Sequence, residues 1–339
     1  MRAIRVVQGR VSFEREAPIP VPGTGEAIVR TTRVAVCHAA ADSIRAPRGP
    51  DRTLGREFVG TVERIGPGSG PGPLRGSGAN LVGKRVVGSA SRACGSCDRC
   101  RSGLSGHCRD RRTLGEPGTE GCFADYFTVP VSSLVEVPPG IGDDEAVLSS
   151  TFAAASHLAR AVPISPRILV SVIGDGAVGL VTAALLASRA ETVRILTLRS
   201  SAAMVCEKWG LRHRPAGEAG RRHDQDLVVD TEGSDSSMSL AVGLARPRGM
   251  VFVSRTTGRA GGPGPSEDVC GAIAELELTV RGVRGEDFPG GVAILAGGSI
   301  PVAPLVASRL TLEQVPGCVV DPGFDGMVKV IASVPPPSH

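Results

Sequence analysis

The chain has 339 residues, 41% of them hydrophobic and 21% charged, with a formal net charge of +4. At roughly 150 residues per domain, that length is too great for one ordinary core and suggests two domains. The small positive charge is dispersed, with no basic tract interleaved with aromatics, so the composition argues against a nucleic-acid partner.

The chain opens MRAIRVVQGRV, which lacks the apolar core of a signal peptide. Nine cysteines without such a leader point to a reducing, cytoplasmic setting, where thiols favour metals over disulfides. Four of the nine fall in CGSCDRCRSGLSGHC: Cys94, Cys97, Cys100 and Cys108. Gly95, Ser96, Gly103 and Gly106 let so short a loop wrap round an ion. Four thiolates can surround one zinc at ~2.3 Å and leave it no open position. The alternative, four unrelated free thiols, fits this density poorly. One structural zinc per subunit is therefore expected, and the chemistry must lie elsewhere.

Residues 168–173, ILVSVI, form an apolar run suited to a buried parallel strand. GDGAVG follows, with Gly174, Gly176 and Gly179 matching G-x-G-x-x-G and Ala177 and Val178 between the last two. A helical pattern, LVTAALLASR, leads to a second strand, VRILTL, at 193–198. This strand–turn–helix–strand unit is the context that a dinucleotide fingerprint requires. The first glycine permits the turn, the second lets the backbone approach a pyrophosphate, and the third allows close helix packing. The same 168–188 stretch is apolar enough to resemble a membrane span, but Asp175 and the glycines favour a buried strand and helix. No membrane association is expected.

The second strand ends TLRSS, where an NAD-binding chain usually has a carboxylate for the ribose. Thr197, Arg199 and Ser200 offer no charge to repel a 2′-phosphate, and Arg199 could pair with one. NADP(H) is favoured over NAD(H); the alternative is that Arg199 is a solvated surface charge. Further strands at 226–230 (DLVVD), 250–254 (MVFVS, ending at Ser254) and 278–282 (LTVRG) extend an α/β doubly wound parallel sheet.

Taken in order, VAVCHAAAD (34–42), LGREFVGTVERIG (54–66), VGKRVVG (82–88), the cysteine lobe, GCFADYFTVP (121–130), GDGAVG and LTVRGVRG (278–285) resemble the zinc-containing alcohol dehydrogenase branch of the medium-chain dehydrogenase/reductases. The resemblance implies a GroES-like, mostly-β catalytic domain over 1–150, with 286–339 returning to it. A Rossmann domain would occupy 151–285, with the active site in the cleft between the domains. It also implies a small-molecule substrate and a homodimer or homotetramer.

The likeness breaks down at the catalytic metal. The family's zinc is held by Cys, by His from G-H-E, and by a later Cys, Asp or Glu. Cys37 matches the first, but the His position is Arg56, followed by Glu57, and the third position aligns with Ser150. The expected proton-passing Ser or Thr, and the Asp after it, are Ala39 and Ala40. A catalytic zinc needs three protein ligands and an open position, and a guanidinium would repel the ion. His38 and His157 are the candidates for a rescued ligand set; otherwise one packs beside the turn and the other lines a helix.

The expected activity is therefore hydride transfer from NADPH to an activated C=C or C=O. Arg56 would steady the developing negative charge, with Cys37, Glu57 and Ser150 nearby. Alternatively Arg56 forms a salt bridge to Glu57 or a neighbouring carboxylate and only fills the vacated pocket, in which case Glu57 holds the arginine. Two other functions stay open: a zinc-dependent alcohol or polyol dehydrogenase with rearranged ligands, and an NADPH-binding protein without turnover. Cys122, Cys206, Cys270 and Cys318 read as small buried hydrophobes, and Tyr126 reads as packing. The loop 42–53 carries three arginines that hint at an anionic or polar substrate.

Overall fold

The computed structural model describes residues 1–67, 81–197, 199–220, 222–254, 266–321 and 329–335. The chain divides into two compact units. The first comprises Met1–Ser150, Leu295–Gly297 and Val306–His339, and the second Thr151–Ile294 and Gly298–Leu305. The sequence reading returns the chain to the first domain at 286, whereas residues 286–294 and 298–305 group with the second unit.

The first unit is built on β-branched strands. A sheet runs in the order Leu134–Glu136, Arg85–Gly88, Glu57–Ile65, Glu26–Val36, Lys329–Ser333 and Val306–Thr311, with Tyr126–Pro130 also paired to Glu26–Val36. The C-terminal strand Lys329–Ser333 pairs antiparallel with Glu26–Val36, setting Val330 opposite Val36. On the other side of Glu26–Val36, Ala35 faces Glu57. Ile4, Val29, Phe58, Phe123 and Phe127 fill the core, and the Phe58 and Phe127 rings meet edge to face at 4.6 Å. Such aromatic pairs add ~1 kcal/mol beyond their buried area.

The second unit holds a six-stranded parallel sheet. Its order is Arg212–Pro215, Thr192–Thr197, Leu169–Ile173, Gln225–Asp230, Ala245–Val253 and Thr279–Gly282. Helices join the strands, so both faces of the central ones are covered. Val170, Val172, Leu227, Val228 and Val229 are accordingly all buried, and a continuous apolar run replaces the alternation of a one-sided sheet. Among the described residues, no helix is long and apolar enough to cross a membrane.

Of the four cysteines read as small buried hydrophobes, Cys122 and Cys206 are buried. Cys318 is only partly so, and Cys270 is exposed. Cys270 lies on the helix Glu267–Glu275, where Val269 alone is buried, so the apolar look of the segment does not bring its thiol inside.

Candidate active site, zinc lobe and nucleotide turn

The first group of site residues gathers where three strands of the first unit end. Cys37 terminates Glu26–Val36 and stands as the N-cap of the helix His38–Arg45. Glu57 opens the neighbouring strand with Arg56 just before it, and Lys329 opens the strand on the other side. Gly55, just before Arg56, has φ +98°, and a Cβ there would collide with the Phe123 ring, so only glycine lets the chain turn into this strand.

Within the group Arg56 pairs with a neighbouring carboxylate, one of the alternatives the sequence left open, while the partner of Glu57 is one the sequence did not suggest. Glu57 does not hold Arg56. Both its carboxylate oxygens accept hydrogen bonds from Lys329 Nζ, at 2.7 and 2.6 Å, in a nearly solvent-free pair. Arg56 instead makes one contact, Nη2 to Glu116 Oε1 at 3.2 Å, from a side chain that is 20% exposed against 45% for Glu116. Burial pulls the Arg56 guanidinium down, but Cys37, Glu116 and Glu57 outweigh it and hold it above its ordinary value. Burial, and then the charge of Glu57, push the Cys37 thiol up, against the opposing pull of Arg56 and Lys329. At neutral pH, then, Cys37 is a thiol and Arg56 a cation.

Ser150 lies on the helix Ser149–Ala161, half-buried, and no hydrogen bond joins it to Cys37, Arg56 or Glu57 among the described residues. The His38 side chain lies outside the described residues. His157 is on the same helix as Ser150 and packs against Gly285. Two of the three loop arginines are bound to backbone. Arg52 donates to the carbonyls of Gly115, Arg48 and Pro50, and Arg45 to that of Val319, so the loop's charge serves its own folding. Tyr126 opens its strand half-buried. Sequence spacing had no means of finding Glu116 or Lys329, which lie 60 and 272 residues from their partners.

In the lobe, the ligand atoms of Cys94, Cys97, Cys100 and Cys108 all lie within 4.8 Å of one another. The Sγ separations include 3.5 Å for Cys97–Cys100 and 4.0 Å for both Cys94–Cys100 and Cys97–Cys108. A tetrahedron of zinc–sulfur bonds of ~2.3 Å has edges of about 3.8 Å, so the four thiols fit that ion. The four thiols share charge unequally: backbone N–H groups of Ser96 and Cys97 pull Cys94 down to about 6, while burial and its thiol neighbours push Cys100 up to about 12. Among the described residues, no other cluster of His, Cys, Asp and Glu could hold a metal ion.

The glycine turn lies in the second unit. Gly174 turns at φ +101°, Gly176 is the N-cap of the helix Ala177–Ala187, and Ala177, Val178 and Gly179 form its first turn. A Cβ on Gly179 would overlap the Gly174 carbonyl, whereas a Cβ on Gly176 would meet nothing within 4 Å. Open space over Gly176 at a helix N-terminus is the cradle a pyrophosphate needs, so the residues fit a dinucleotide. Thr197 ends its strand buried, its hydroxyl donating to the Arg214 carbonyl at 3.4 Å. Arg199 is the N-cap of Ser200–Trp209, while the Ser200 side chain lies outside the described residues. Ser254 follows its strand and donates its N–H to the Asp230 carbonyl.

A profile of the alcohol dehydrogenase GroES-like domain matches residues 23–139. L-threonine 3-dehydrogenase of Coxiella burnetii (strain Dugway 5J108-111) is 29% identical over 177 residues, covering 50% of this chain and 48% of that protein. The aligned stretch thus spans about half the length of that relative. The enzyme of the same name from Marinomonas sp. (strain MWYL1) is 25% identical over 335 residues, 92% of each chain. Among solved structures, a zinc-binding dehydrogenase from Sinorhizobium meliloti 1021 bound to NADP superposes with a TM-score of 0.81 at 24% identity, covering 98% of this chain and 99% of that one. At that identity the likeness is one of fold.

Proposed function

We propose that this chain, whose residues 23–139 match the alcohol dehydrogenase GroES-like domain, belongs to the alcohol dehydrogenase-like branch of the medium-chain dehydrogenase/reductases and is an NADPH-dependent reductase of an activated C=C or C=O in a small molecule. In this reading Arg56 takes the place of the catalytic zinc, and the only zinc is the structural one at the four cysteines. The observation that carries the reading is the state of Arg56. It stands at the position of a zinc-ligand histidine, remains a cation, and is tied to Glu116 by a single bond.

The turn at Gly174, Gly176 and Gly179 would hold a dinucleotide whose nicotinamide, when bound, would supply the hydride. The chain supplies a place for the charge that then develops on oxygen. Arg56 has five N–H donors, and Glu116 engages one of its nitrogens at 3.2 Å. The rest have no partner among the described residues and can receive an oxyanion. Glu57 is occupied by Lys329 and does not draw the guanidinium inward. Arg56 keeps its own protons throughout, so the product's proton comes from water or another side chain. Removing one preorganised donor of this kind costs ~10²–10³ in rate.

The test follows NADPH oxidation on a panel of enones and activated carbonyls with wild type, R56A and R56K. The reading expects turnover on at least one member, a fall of ~10²–10³ in R56A, and partial retention in R56K. Equal rates in R56A and wild type would refute it, as would a wild type that binds NADPH and consumes none.

A further inference from the structure

The nucleotide turn contains a charge that the cofactor reading leaves unexplained. Asp175 sits between Gly174 and Gly176, 0% exposed, and its Oδ2 accepts the backbone N–H of Arg199 at 2.9 Å. The Arg199 guanidinium lies back over the same carboxylate, with Nη1 3.8 Å from Oδ1. That nitrogen is buried and has no hydrogen-bond partner among the described residues. Glu232, which packs over Gly174, brings a second carboxylate into the guanidinium's field. The Arg199 guanidinium is thus held at ion-pair range, but not at hydrogen-bond range, by an acid in the turn itself.

We infer that Asp175 competes with a dinucleotide 2′-phosphate for Arg199, and so sets the preference between phosphorylated and unphosphorylated cofactors. The inference rests on the reading of Arg199 as the 2′-phosphate partner. The pair is loose enough to yield, because a phosphate offers the guanidinium short, charge-assisted, bidentate bonds that the carboxylate does not make. When Arg199 turns outward to a phosphate, Asp175 stays behind as a buried charge without its cation, which is unfavourable. A 2′-hydroxyl leaves Arg199 where it is and incurs no such cost. Asp175 therefore weakens NADPH binding selectively, and the observed preference is a balance between the two residues.

The test needs no substrate. Affinities of the full chain for NADPH and NADH are measured by isothermal titration calorimetry for wild type, D175N and R199A. D175N keeps an oxygen to accept the Arg199 N–H and removes the charge. We expect its NADPH-to-NADH affinity ratio to rise about tenfold, and that of R199A to fall by at least about as much. A ratio unchanged or lowered in D175N, with R199A still losing its preference, overturns the role of Asp175 and leaves the reading of Arg199 standing. An unchanged ratio in R199A overturns both. Asp175→Ser, which also keeps an acceptor oxygen, carries the same expectation if the asparagine variant does not fold.

Discussion

Lys329 and Glu57 are 272 residues apart, yet they form the most enclosed ion pair of the first unit. Taking both charges out of water is tolerable only because each answers the other, so removing one partner costs far more than removing both. E57A should lose ~3–5 kcal/mol in urea melts, and a double replacement by Leu at 57 and Met at 329 should lose less than that single change. A double-variant loss equal to the sum of the losses of the Glu57 and Lys329 single variants would mean that the pair is not coupled. At this scale the sequence was half legible. Cys37, Arg56 and Glu57 could be named from motif positions. Their partners could not, because pairing across strands depends on register over long separations, and Glu116 and Lys329 carry no local pattern. Of the two partners considered for Arg56, Glu57 followed from adjacency, but its carboxylate is taken by Lys329, and the neighbouring carboxylate is Glu116.

The strand–turn–helix element was the most legible part of the chain, because Gly174 and Gly179 answer local steric demands and Gly176 leaves open space at the helix N-terminus. The demands differ, and two alanine variants separate them. G179A pushes a methyl into the Gly174 carbonyl, so its melting temperature should fall by several degrees and nucleotide binding should be lost with the fold of the turn. G176A meets nothing within 4 Å, so it should melt within a few degrees of wild type while its dissociation constant for NADPH rises at least about tenfold, measured by calorimetry. Loss of stability in G176A without loss of affinity would count against the cradle. On the helix that follows, burial and then the charge of Asp175 push the Cys206 thiol up to about 12 from the ordinary 9.0. A folded pKa above the unfolded one favours the native state below about pH 9 and is lost as pH rises through the folded value. Stability should therefore decline between pH 9 and 12, and C206A should flatten that decline in denaturant midpoints taken across the range. An identical slope in C206A would assign the loss to other groups, among them the raised thiols of Cys37 and Cys122.

Across the whole molecule, the order of motifs, from the Cys37 segment to the strand Thr279–Gly282, resembles that of the medium-chain dehydrogenase/reductases, and the profile of the alcohol dehydrogenase GroES-like domain matches residues 23–139. The cysteine lobe was legible because its four ligands fall within fifteen residues, and the fold only has to close a short loop to bring them within 4.8 Å. Exposure was less legible. Cys270 looked like a buried hydrophobe, and the arginines at 45 and 52 looked like substrate contacts, because residue type does not report which face of a helix or loop is covered. The central claim concerns metals: zinc belongs to the four cysteines, and a guanidinium holds the position of the catalytic ion. Zinc per chain, by elemental analysis of protein purified without added metal, tests this directly for wild type and a C94S/C97S double variant. The account predicts one zinc in the wild type and none in the variant. Two zincs in the wild type, or one retained after both cysteines are replaced, would contradict it and return the chain to metal-dependent alcohol oxidation.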